Sequence, residues 1–381
     1  MDFAPSEEQQ AIFDMARDFG AEHIAPHARA WEEAGTIPRD LWQRCAELGL
    51  GGIYVAEEFG GTGLSRLDAT LIFEALAMAC PSVGSFLSIH NMCGGMIDKF
   101  GNEASKARWL PDLCSMQKVF SYCLTEPGSG SDAAALRTRA ERVEGGWKLN
   151  GTKAFISGGS YSDAYLVMVR TGEAGPKGIS TVVVEAGTPG LSFGALEHKM
   201  GWKAQPTAQV QFDDCVIPAE NLIGEEGRGF SYAMAGLDGG RLNISAGALG
   251  GAQAALEATL RYMGERRAFG QTLDQFQALQ FSLAEMETAL QSSRIFLRQA
   301  AWKLDRGDRD AAKFCAMAKL HVTDRAFDVA NQCLQLHGGY GYLADYGIEK
   351  IVRDLRVHQI LEGTNEIMRL IVSRALLAER N

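Results

Sequence analysis

The segment WKLNGTKAFIS, residues 147–157, is where the chain departs from a helical pattern. It is rich in β-branched and aromatic residues and contains Asn150-Gly151, a pair typical of two-residue β-hairpin turns. Four similar short runs surround it: VFSYCLTE, AYLVMVRT, ISTVVVEA and AQVQFDDCVI. The stretches between them are too short for crossover helices, so the spacing predicts a small antiparallel barrel or sandwich over residues 119–225.

Helical patterns flank this β region on both sides. Ser6-Glu7-Glu8-Gln9 has the pattern of a capping box at the start of a helix. Apolar residues then recur at helical spacing, and the segments that show this are 40–48, 68–80, 245–264, 276–305, 308–336 and 365–379. The sequence therefore predicts an α+β multidomain chain: an N-terminal helical domain (1–118), a central antiparallel β-barrel (119–225) and a C-terminal helical domain resembling a four-helix bundle (226–381).

Composition restricts the class of protein. The 381 residues are 46% apolar and carry a net charge of −10, which predicts a globular protein that neither binds nucleic acid nor inserts into a membrane. The N-terminal segment is acidic and lacks the features of a signal or transit peptide. Eight cysteines without a C-x-x-C pair indicate free thiols in a reducing compartment. We therefore expect a cytoplasmic protein, or a mitochondrial matrix protein if this is the processed form of a eukaryotic chain.

The stretch TEPGSGSDAA, residues 125–134, formally matches the glycine fingerprint of dinucleotide-binding folds. A dinucleotide fold needs a helix and a second parallel strand next, whereas the following sequence predicts a short helix at most and then a hairpin. Two interpretations stay open. The stretch is a plain turn, or its glycines bring the backbone close to a phosphate or ring, with hydroxyls from Thr125, Ser129 and Ser131.

Several further stretches leave a structural and a functional interpretation open. Phe155 and Ser157 share one face of a strand, as either core or ligand wall. LDGGRLN (237–243) and ERRAFGQ (265–271) each precede a helix, and their arginines, Arg241, Arg266 and Arg267, are phosphate binders or solvated charges. QLHGGYGYLADY (335–346) allows close backbone approach to a ligand, or Gly338 ends a helix there. His23 and His27 have Pro26 between them and no third ligand nearby, so no metal site is predicted.

The stretch LEGTNE, residues 361–366, places a carboxylate at the edge of an apolar run. An apolar environment disfavours the charged form and raises the pKa of Glu362, which suits a general base. The alternative is a glutamate at the mouth of a helix, stabilised by the helix dipole. In both cases Thr364 or Asn365 is expected to cap the final helix.

Six stretches together resemble the acyl-CoA dehydrogenase family, in the family's order and over essentially the whole chain: YCLTEPGSGSDA (122–133), KAFISGG (153–159), LDGGR (237–241), ERRAFGQ (265–271), QLHGGYGY (335–342) and HQILEGTNEIMR (358–369). The resemblance implies FAD as cofactor, α,β-dehydrogenation of an acyl-CoA, electron-transferring flavoprotein as acceptor, and a homotetramer. Four more stretches resemble the branch that oxidises isobutyryl-CoA to methacrylyl-CoA in valine catabolism: LSIHNMCGGMIDKFG (87–101), GPKGIS (175–180), MGWKAQPT (200–207) and RVHQILEG (356–363).

The resemblance also implies roles for individual residues, with Glu362 as the catalytic base. The implied FAD contacts, some of them made across a subunit interface, are Tyr122, Leu124, Thr125, Gly130, Ser131, Phe155, Ile156, Ser157, Arg266, Phe269, Phe276, Gln277, Gln335, Leu336, His337, Gly338, Gly339, Thr364, Asn365 and Glu366. The implied substrate contacts are Ser131, Asp238, Gly239, Gly240, Arg241, Gly363 and Arg374.

The chain departs from the family pattern at two places. Many relatives have Trp and Thr where this sequence has Phe155 and Ser157. Bulkier residues are expected near the acyl end where it has Gly94-Gly95, which leaves the acyl chain length open. The alternatives are a butyryl-CoA or 2-methylbutyryl-CoA dehydrogenase, a flavin oxidase, and a non-catalytic acyl-CoA-binding protein on the same fold.

Overall fold

The computed structural model describes residues 4–379, in the order helical, β, helical. This architecture confirms the predicted fold class. The outermost residues of the predicted domains, 1–3 and 380–381, lie outside the described residues.

The N-terminal part consists of six α-helices. They are α1 (Glu7–His23), α2 (Ala28–Ala34), α3 (Arg39–Glu47), α4 (Arg66–Ala79), α5 (Pro81–Phe100) and α6 (Glu103–Cys114). Ser6 caps α1 and forms both hydrogen bonds of the predicted capping box with Gln9. Ser65 and Asp68 form the same box at the start of α4. These bonds satisfy amide groups that the first helical turn otherwise leaves unpaired.

The middle part is one eight-stranded sheet. Its strands are β1 (Phe120–Cys123), β2 (Arg139–Val143), β3 (Gly146–Ser157), β4 (Ala164–Arg170), β5 (Ile179–Glu185), β6 (Leu191–Phe193), β7 (Thr207–Pro218) and β8 (Leu222–Ile223). They pair in the order β6-β7-β3-β2-β4-β5-β8, and β1 joins β4. Most pairs are antiparallel, as predicted, but β1 and β2 each run parallel to β4, so the sheet is mixed.

The predicted hairpin at Asn150-Gly151 is wrong. Strand β3 continues through this pair without a turn, and a register shift against β7 marks a bulge there. Gly151 is required because a Cβ on it would lie 2.6 Å from Oγ1 of Thr138. The Asn150 side chain instead exchanges hydrogen bonds with Asp214 across the sheet. The turn between β2 and β3 contains Gly145 at φ +76°.

Strand β4 separates two apolar cores. Its residues Ala164, Leu166 and Met168 pack with α5, α6 and the start of the C-terminal part. The alternate residues Tyr165 and Val167 pack with β3, β5 and β7 inside the curved sheet. Both faces of the strand are therefore buried, which fixes the sheet against the helices.

The C-terminal part contains five helices and a short hairpin. They are α7 (Gly229–Glu265), β9 (Arg267–Ala268), β10 (Gln271–Thr272), α8 (Gln277–Asp305), α9 (Ala311–Leu336), α10 (Ile348–Arg356) and α11 (Asn365–Ala378). Helix α7 starts earlier than its apolar pattern indicated. The stretch 237–243 therefore lies inside α7, and the prediction that it precedes a helix is wrong.

All eight cysteines are buried and unpaired, as expected for free thiols. Within residues 4–379 no helix is long and apolar enough to cross a membrane.

Candidate active site

A strained turn presents Glu362. Its φ is +56° and that of Gly363 is +89°, two consecutive residues in the left-handed region, where a non-glycine residue is rare. The turn leads into α11, whose N-cap is Thr364, and the Thr364 hydroxyl accepts a hydrogen bond from the amide of Ile367 at 3.3 Å. The cap and the turn together fix the direction in which the Glu362 side chain leaves the backbone.

The Glu362 carboxyl group is enclosed. Although the residue as a whole is partly exposed, its Oε2 atom is fully buried and has no hydrogen-bond partner among residues 4–379. Burial raises the pKa of Glu362 from 4.5 to about 7, while Arg241 and Lys319 act in the opposite direction. A glutamate held only by a helix dipole would have a lowered pKa. The observed environment favours the general-base interpretation.

Two adjacent glycines of α7 form the floor beneath this carboxyl group. A Cβ on Gly240 would lie 2.5 Å from Oε2 of Glu362. A Cβ on Gly239 would lie 2.6 Å from Nη1 of Arg66. Only glycine lets the Glu362 carboxyl and the Arg66 guanidinium approach the helix this closely, which explains two glycines in the interior of a helix.

Arg241 is directed towards the protein rather than towards solvent. Its Nη1 donates to Asp238 at 2.5 Å, and its Nε donates to the backbone carbonyl of Glu362 at 3.4 Å. The side chain is 6% exposed. Of its two predicted roles, a solvated charge is wrong, because the guanidinium hydrogen-bonds Asp238 and the Glu362–Gly363 turn.

The glycine-rich stretch after β1 is a rigid open loop. Lys153, fully buried, donates to Glu126 at 2.8 Å, and Glu126 also accepts from the amides of Arg137 and Thr138. No atom lies within 4 Å of a Cβ built on Gly128 or Gly130. A 3-10 turn and a strand follow, so the structure agrees with rejecting a dinucleotide-binding fold.

The hydroxyls of this loop have different surroundings. Ser129 is buried and donates to the carbonyl of Asp132 at 2.6 Å, whereas Ser131 is exposed. Ser131 is therefore available to a ligand, and Ser129 holds the loop. The hydroxyl of Tyr122 is buried with no partner among the described residues, and Tyr122 lies close enough to Glu362 for their charges to interact.

The end of β3 breaks the strand alternation. Phe155 has φ +58° and is 68% exposed, next to a register shift against β7. Ile156 is 2% exposed and packs in the core of the sheet, so its side chain cannot contact a ligand and only its backbone can. Phe155 and Ser157 both remain accessible on either side of the buried Ile156, as expected for two residues on one face, although the bulge interrupts the alternation just before them.

The predicted FAD contacts fall into two separate sets. Tyr122 and residues 364–366 lie beside Glu362, near Lys319 of α9, whereas residues 336–339 lie at the C-terminal end of the same helix. Lys319 and Leu336 are 17 residues apart, which corresponds to about 26 Å along the helix. A cavity of about 420 Å³ beside Tyr262 is lined by five predicted FAD contacts: Arg266, Leu336, His337, Gly338 and Gly339. The guanidinium of Arg266 lies over the ring of Tyr340.

Two predicted contacts, Phe269 for FAD and Arg374 for the substrate, lie apart from both of these groups. Phe269 is 98% exposed at the tip of the β9–β10 hairpin and packs edge-on against Phe276. Arg374 is exposed nine residues beyond the start of α11, about 14 Å along that helix. Neither Phe269 nor Arg374 therefore meets Glu362 within one chain.

The glycine pair expected at the acyl end is split between two environments. A Cβ on Gly94 would meet Leu113 and Val55 in the helical core, so Gly94 does not face a ligand. A Cβ on Gly95 would lie 3.0 Å from the ring of Tyr54 and 3.3 Å from Nη2 of Arg66. Gly95 therefore gives room to the Arg66–Tyr54 pair, whose guanidinium carbon lies 3.6 Å from the ring centroid.

Sequence reasoning missed Lys319, Arg66 and Tyr54. Lys319 had a detectable signal, since it falls on the buried face of α9 in step with Cys315 and Val322. A lone lysine on an apolar helix face is a candidate for a buried, functional amine. Arg66 and Tyr54 have no comparable local signal, because their partners lie on α7.

Three domain families match the chain. They are the N-terminal domain of acyl-CoA dehydrogenase (residues 6–117), its middle domain (121–215) and its C-terminal domain (227–377). The chain is 53% identical to the mitochondrial isobutyryl-CoA dehydrogenase of Bos taurus, over 98% of this chain and 90% of the relative. It is 55% identical to that of Dictyostelium discoideum, over 97% and 89%. The structure superimposes on butyryl-CoA dehydrogenase from Megasphaera elsdenii with a TM-score of 0.96, at 37% identity, over 99% and 100% of the two chains.

Proposed function

The chain belongs to the acyl-CoA dehydrogenase family, and on that premise we propose that it oxidises isobutyryl-CoA to methacrylyl-CoA with Glu362 as the base. The observation that carries the proposal is the buried Oε2 of Glu362, which has no protein partner among residues 4–379. The pKa of about 7 leaves the group able both to take and to hold a proton near neutral pH.

The reaction removes the α-proton and the β-hydrogen of the acyl thioester. Glu362 takes the α-proton on a carboxylate oxygen. The amide N–H of Glu362 donates to no acceptor among the described residues, which makes it available to the thioester carbonyl oxygen. A donor fixed there stabilises the negative charge that develops as the α-proton leaves. The base and the amide donor for the thioester oxygen thus belong to the same residue, and the same turn holds both.

The residues around the turn fit FAD, the cofactor of the family. When bound, FAD supplies the acceptor for the β-hydrogen, which leaves as hydride. The exposed ring of Phe155, the open backbone at Gly130 and the hydroxyl of Ser131 would hold its ring end. Thr364 caps the adjacent helix, while the side chain of Asn365 is buried against α9 and leaves only its backbone for a ligand. The buried hydroxyl of Tyr122 beside Glu362 has no hydrogen-bond partner among the described residues, so a bound ligand could supply one.

A second subunit would complete this site. The two sets of predicted FAD contacts lie about 26 Å apart along α9, so we propose that Arg266, Phe269, Phe276 and the 335–339 stretch serve the FAD of a neighbouring chain. The exposed Phe269 supports this arrangement. We extend the proposal to a homotetramer that passes electrons to electron-transferring flavoprotein. The free cysteines fit a reducing compartment, the cytoplasm or, as the names of the two relatives say of them, mitochondria.

Anaerobic reduction of the purified yellow protein tests the proposal. Isobutyryl-CoA should bleach the flavin absorbance faster than butyryl-CoA or 2-methylbutyryl-CoA at equal concentration. Glu362→Gln should keep its FAD and lose bleaching by several orders of magnitude, because the α-proton then has no acceptor.

Glu141→Gln is the matched control, since Glu141 is an exposed glutamate on β2. It should bleach like the unmodified protein. Near-normal bleaching by Glu362→Gln would remove Glu362 from the mechanism. Faster bleaching with butyryl-CoA would contradict the assigned substrate and leave the reaction class intact. Rapid peroxide formation under air would indicate an oxidase instead.

A further inference from the structure

The side chain of Lys319 is a buried cation that the proposed reaction does not use. It lies on α9, is 0% exposed, and forms no ion pair among residues 4–379. Its Nζ donates to two uncharged acceptors, the backbone carbonyl of Gly363 at 2.8 Å and the side-chain carbonyl of Asn365 at 2.8 Å. A buried ammonium without a carboxylate partner is costly, and an apolar side chain would fit such a position at lower cost.

The acceptors of Lys319 belong to the turn that follows the proposed base. Glu362 and Gly363 both have left-handed backbones, so the peptide planes of this turn need external support. Arg241 donates to the carbonyl of Glu362, and Lys319 donates to the carbonyl of Gly363. Two cations from α7 and α9 therefore hold successive carbonyl groups of the turn.

Neighbouring residues of α9 anchor the same segment on both sides of Glu362. Asp324 accepts from Gln359 at 2.7 Å, before the turn, and from Asn365 at 2.7 Å, after it. Thr323 accepts from Asn365 at 3.0 Å. One face of α9 thus holds the chain on both sides of Glu362. Among the described hydrogen bonds, only that of Lys319 connects α9 to the strained Glu362–Gly363 turn itself.

We propose that Lys319 is the positioning residue of the base: it fixes the left-handed Glu362–Gly363 turn through the Gly363 carbonyl and holds a positive charge beside the Glu362 carboxylate. The proposal rests on the proposed function of Glu362 as the base. Lys319 itself touches no reacting atom.

Lys319 affects Glu362 in two ways, through its hydrogen bonds to the turn and through its charge. Burial lowers the pKa of Lys319 to about 7, and Glu362 opposes that shift. Lys319 in turn lowers the pKa of Glu362, against the larger effect of burial. The charged and titratable groups whose interaction with Lys319 is resolved are Glu362, Arg241, Asp324, Glu366 and His358. Loss of the ammonium should therefore raise the pKa of Glu362 further.

The test follows the protonation of Glu362 directly, in the purified flavoprotein. Carboxyl bands in pH-difference infrared spectra, with Glu362→Gln as the reference, give the midpoint of its titration without any substrate. Lys319→Met should raise that midpoint by about one pH unit and lower the rate of flavin bleaching by isobutyryl-CoA at least about tenfold. Lys319→Arg keeps donors and stays charged throughout the titration, so it should leave the midpoint unchanged or lower it, and never raise it.

Two further variants separate positioning from general stability. Lys319→Gln keeps a donor and loses the charge, so it should raise the midpoint with a smaller loss of rate, and it carries the test if Lys319→Met does not fold. Thr323→Val removes a hydrogen bond of the same network without a change of charge, so it should lower stability and leave the midpoint unchanged.

An unchanged midpoint in Lys319→Gln, or an equal shift in Thr323→Val, would overturn the proposal. If the unmodified protein oxidised no acyl-CoA, the proposed function would fail, while the infrared titration would still report whether Lys319 controls Glu362.

Discussion

Replacing Glu362 with glutamine should make the protein more stable while it abolishes turnover. The pKa of Glu362 is about 7 in the folded chain and 4.5 as an unperturbed side chain. Between these pH values the folded state binds more protons than the unfolded state, so stability falls as the pH rises. Glutamine fills the same space on the same strained backbone and has no charge to bury.

The size of the effect follows from the two pKa values. A difference of about 2.5 in pKa corresponds to about 3.4 kcal/mol when the group is fully ionised, at pH 8 and above. At pH 5 the folded chain keeps its proton, and the same linkage leaves a cost of about 0.8 kcal/mol. Because the residue is partly exposed, we expect the advantage of Glu362→Gln to grow by about 2 kcal/mol between pH 5 and pH 8.

Thermal unfolding measures this change. A chain of 381 residues has an unfolding entropy of about 0.8 kcal/mol/K. The Tm difference between Glu362→Gln and the unmodified protein should therefore widen by about 2–3 °C from pH 5 to pH 8. Glu141→Gln should show no such widening. A Tm difference that is the same at both pH values would refute the assignment of a buried, uncompensated carboxyl group at this position.

Three further substitutions test the surroundings of the site. Glu126→Gln leaves the ammonium of Lys153 buried without its partner and should cost about 3–5 kcal/mol, seen as a lower Tm and a lower flavin content. Phe155→Gly relieves a left-handed backbone and should gain about 1 kcal/mol in stability, while the protein loses FAD more readily on dilution. Gly151→Ala drives a Cβ against Thr138 and should cost about 2 kcal/mol or more by denaturant unfolding; a neutral result would contradict the bulge.

The order of domains could be predicted from the sequence because it depends on local periodicity. The capping box at Ser6 and the long helices α8 and α9 follow from spacing alone, since each is a property of one segment. The conformation of Asn150-Gly151 could not be predicted, because a glycine at this position fits a hairpin turn and a β-bulge equally well. Thr138, immediately before β2, decides between them.

The sequence predicted which residues belong to the candidate site, but not how they are arranged in space. The motifs around Glu362 carry the resemblance, but nothing in LDGGRLN indicates that its glycines lie within a helix. Their partners, Arg66 and Glu362, are over 100 residues distant in the chain and meet α7 only after folding. The left-handed backbone at Glu362 likewise follows from the anchors that α9 provides, which a linear pattern does not contain.

The glycine floor of α7 and the Glu362 turn should therefore be energetically coupled, and a double-mutant cycle can measure the coupling. Gly240→Ala alone should lower stability by about 1–3 kcal/mol, because its Cβ would lie 2.5 Å from Oε2 of Glu362. With Glu362→Gly the obstacle disappears, and the same alanine should instead stabilise the helix by up to about 1 kcal/mol. Gly264→Ala, with no atom nearer than 3.9 Å, should have the same effect in both backgrounds. If Gly240→Ala destabilises both backgrounds equally, the glycine serves the packing of α7 and not the placement of the carboxyl group.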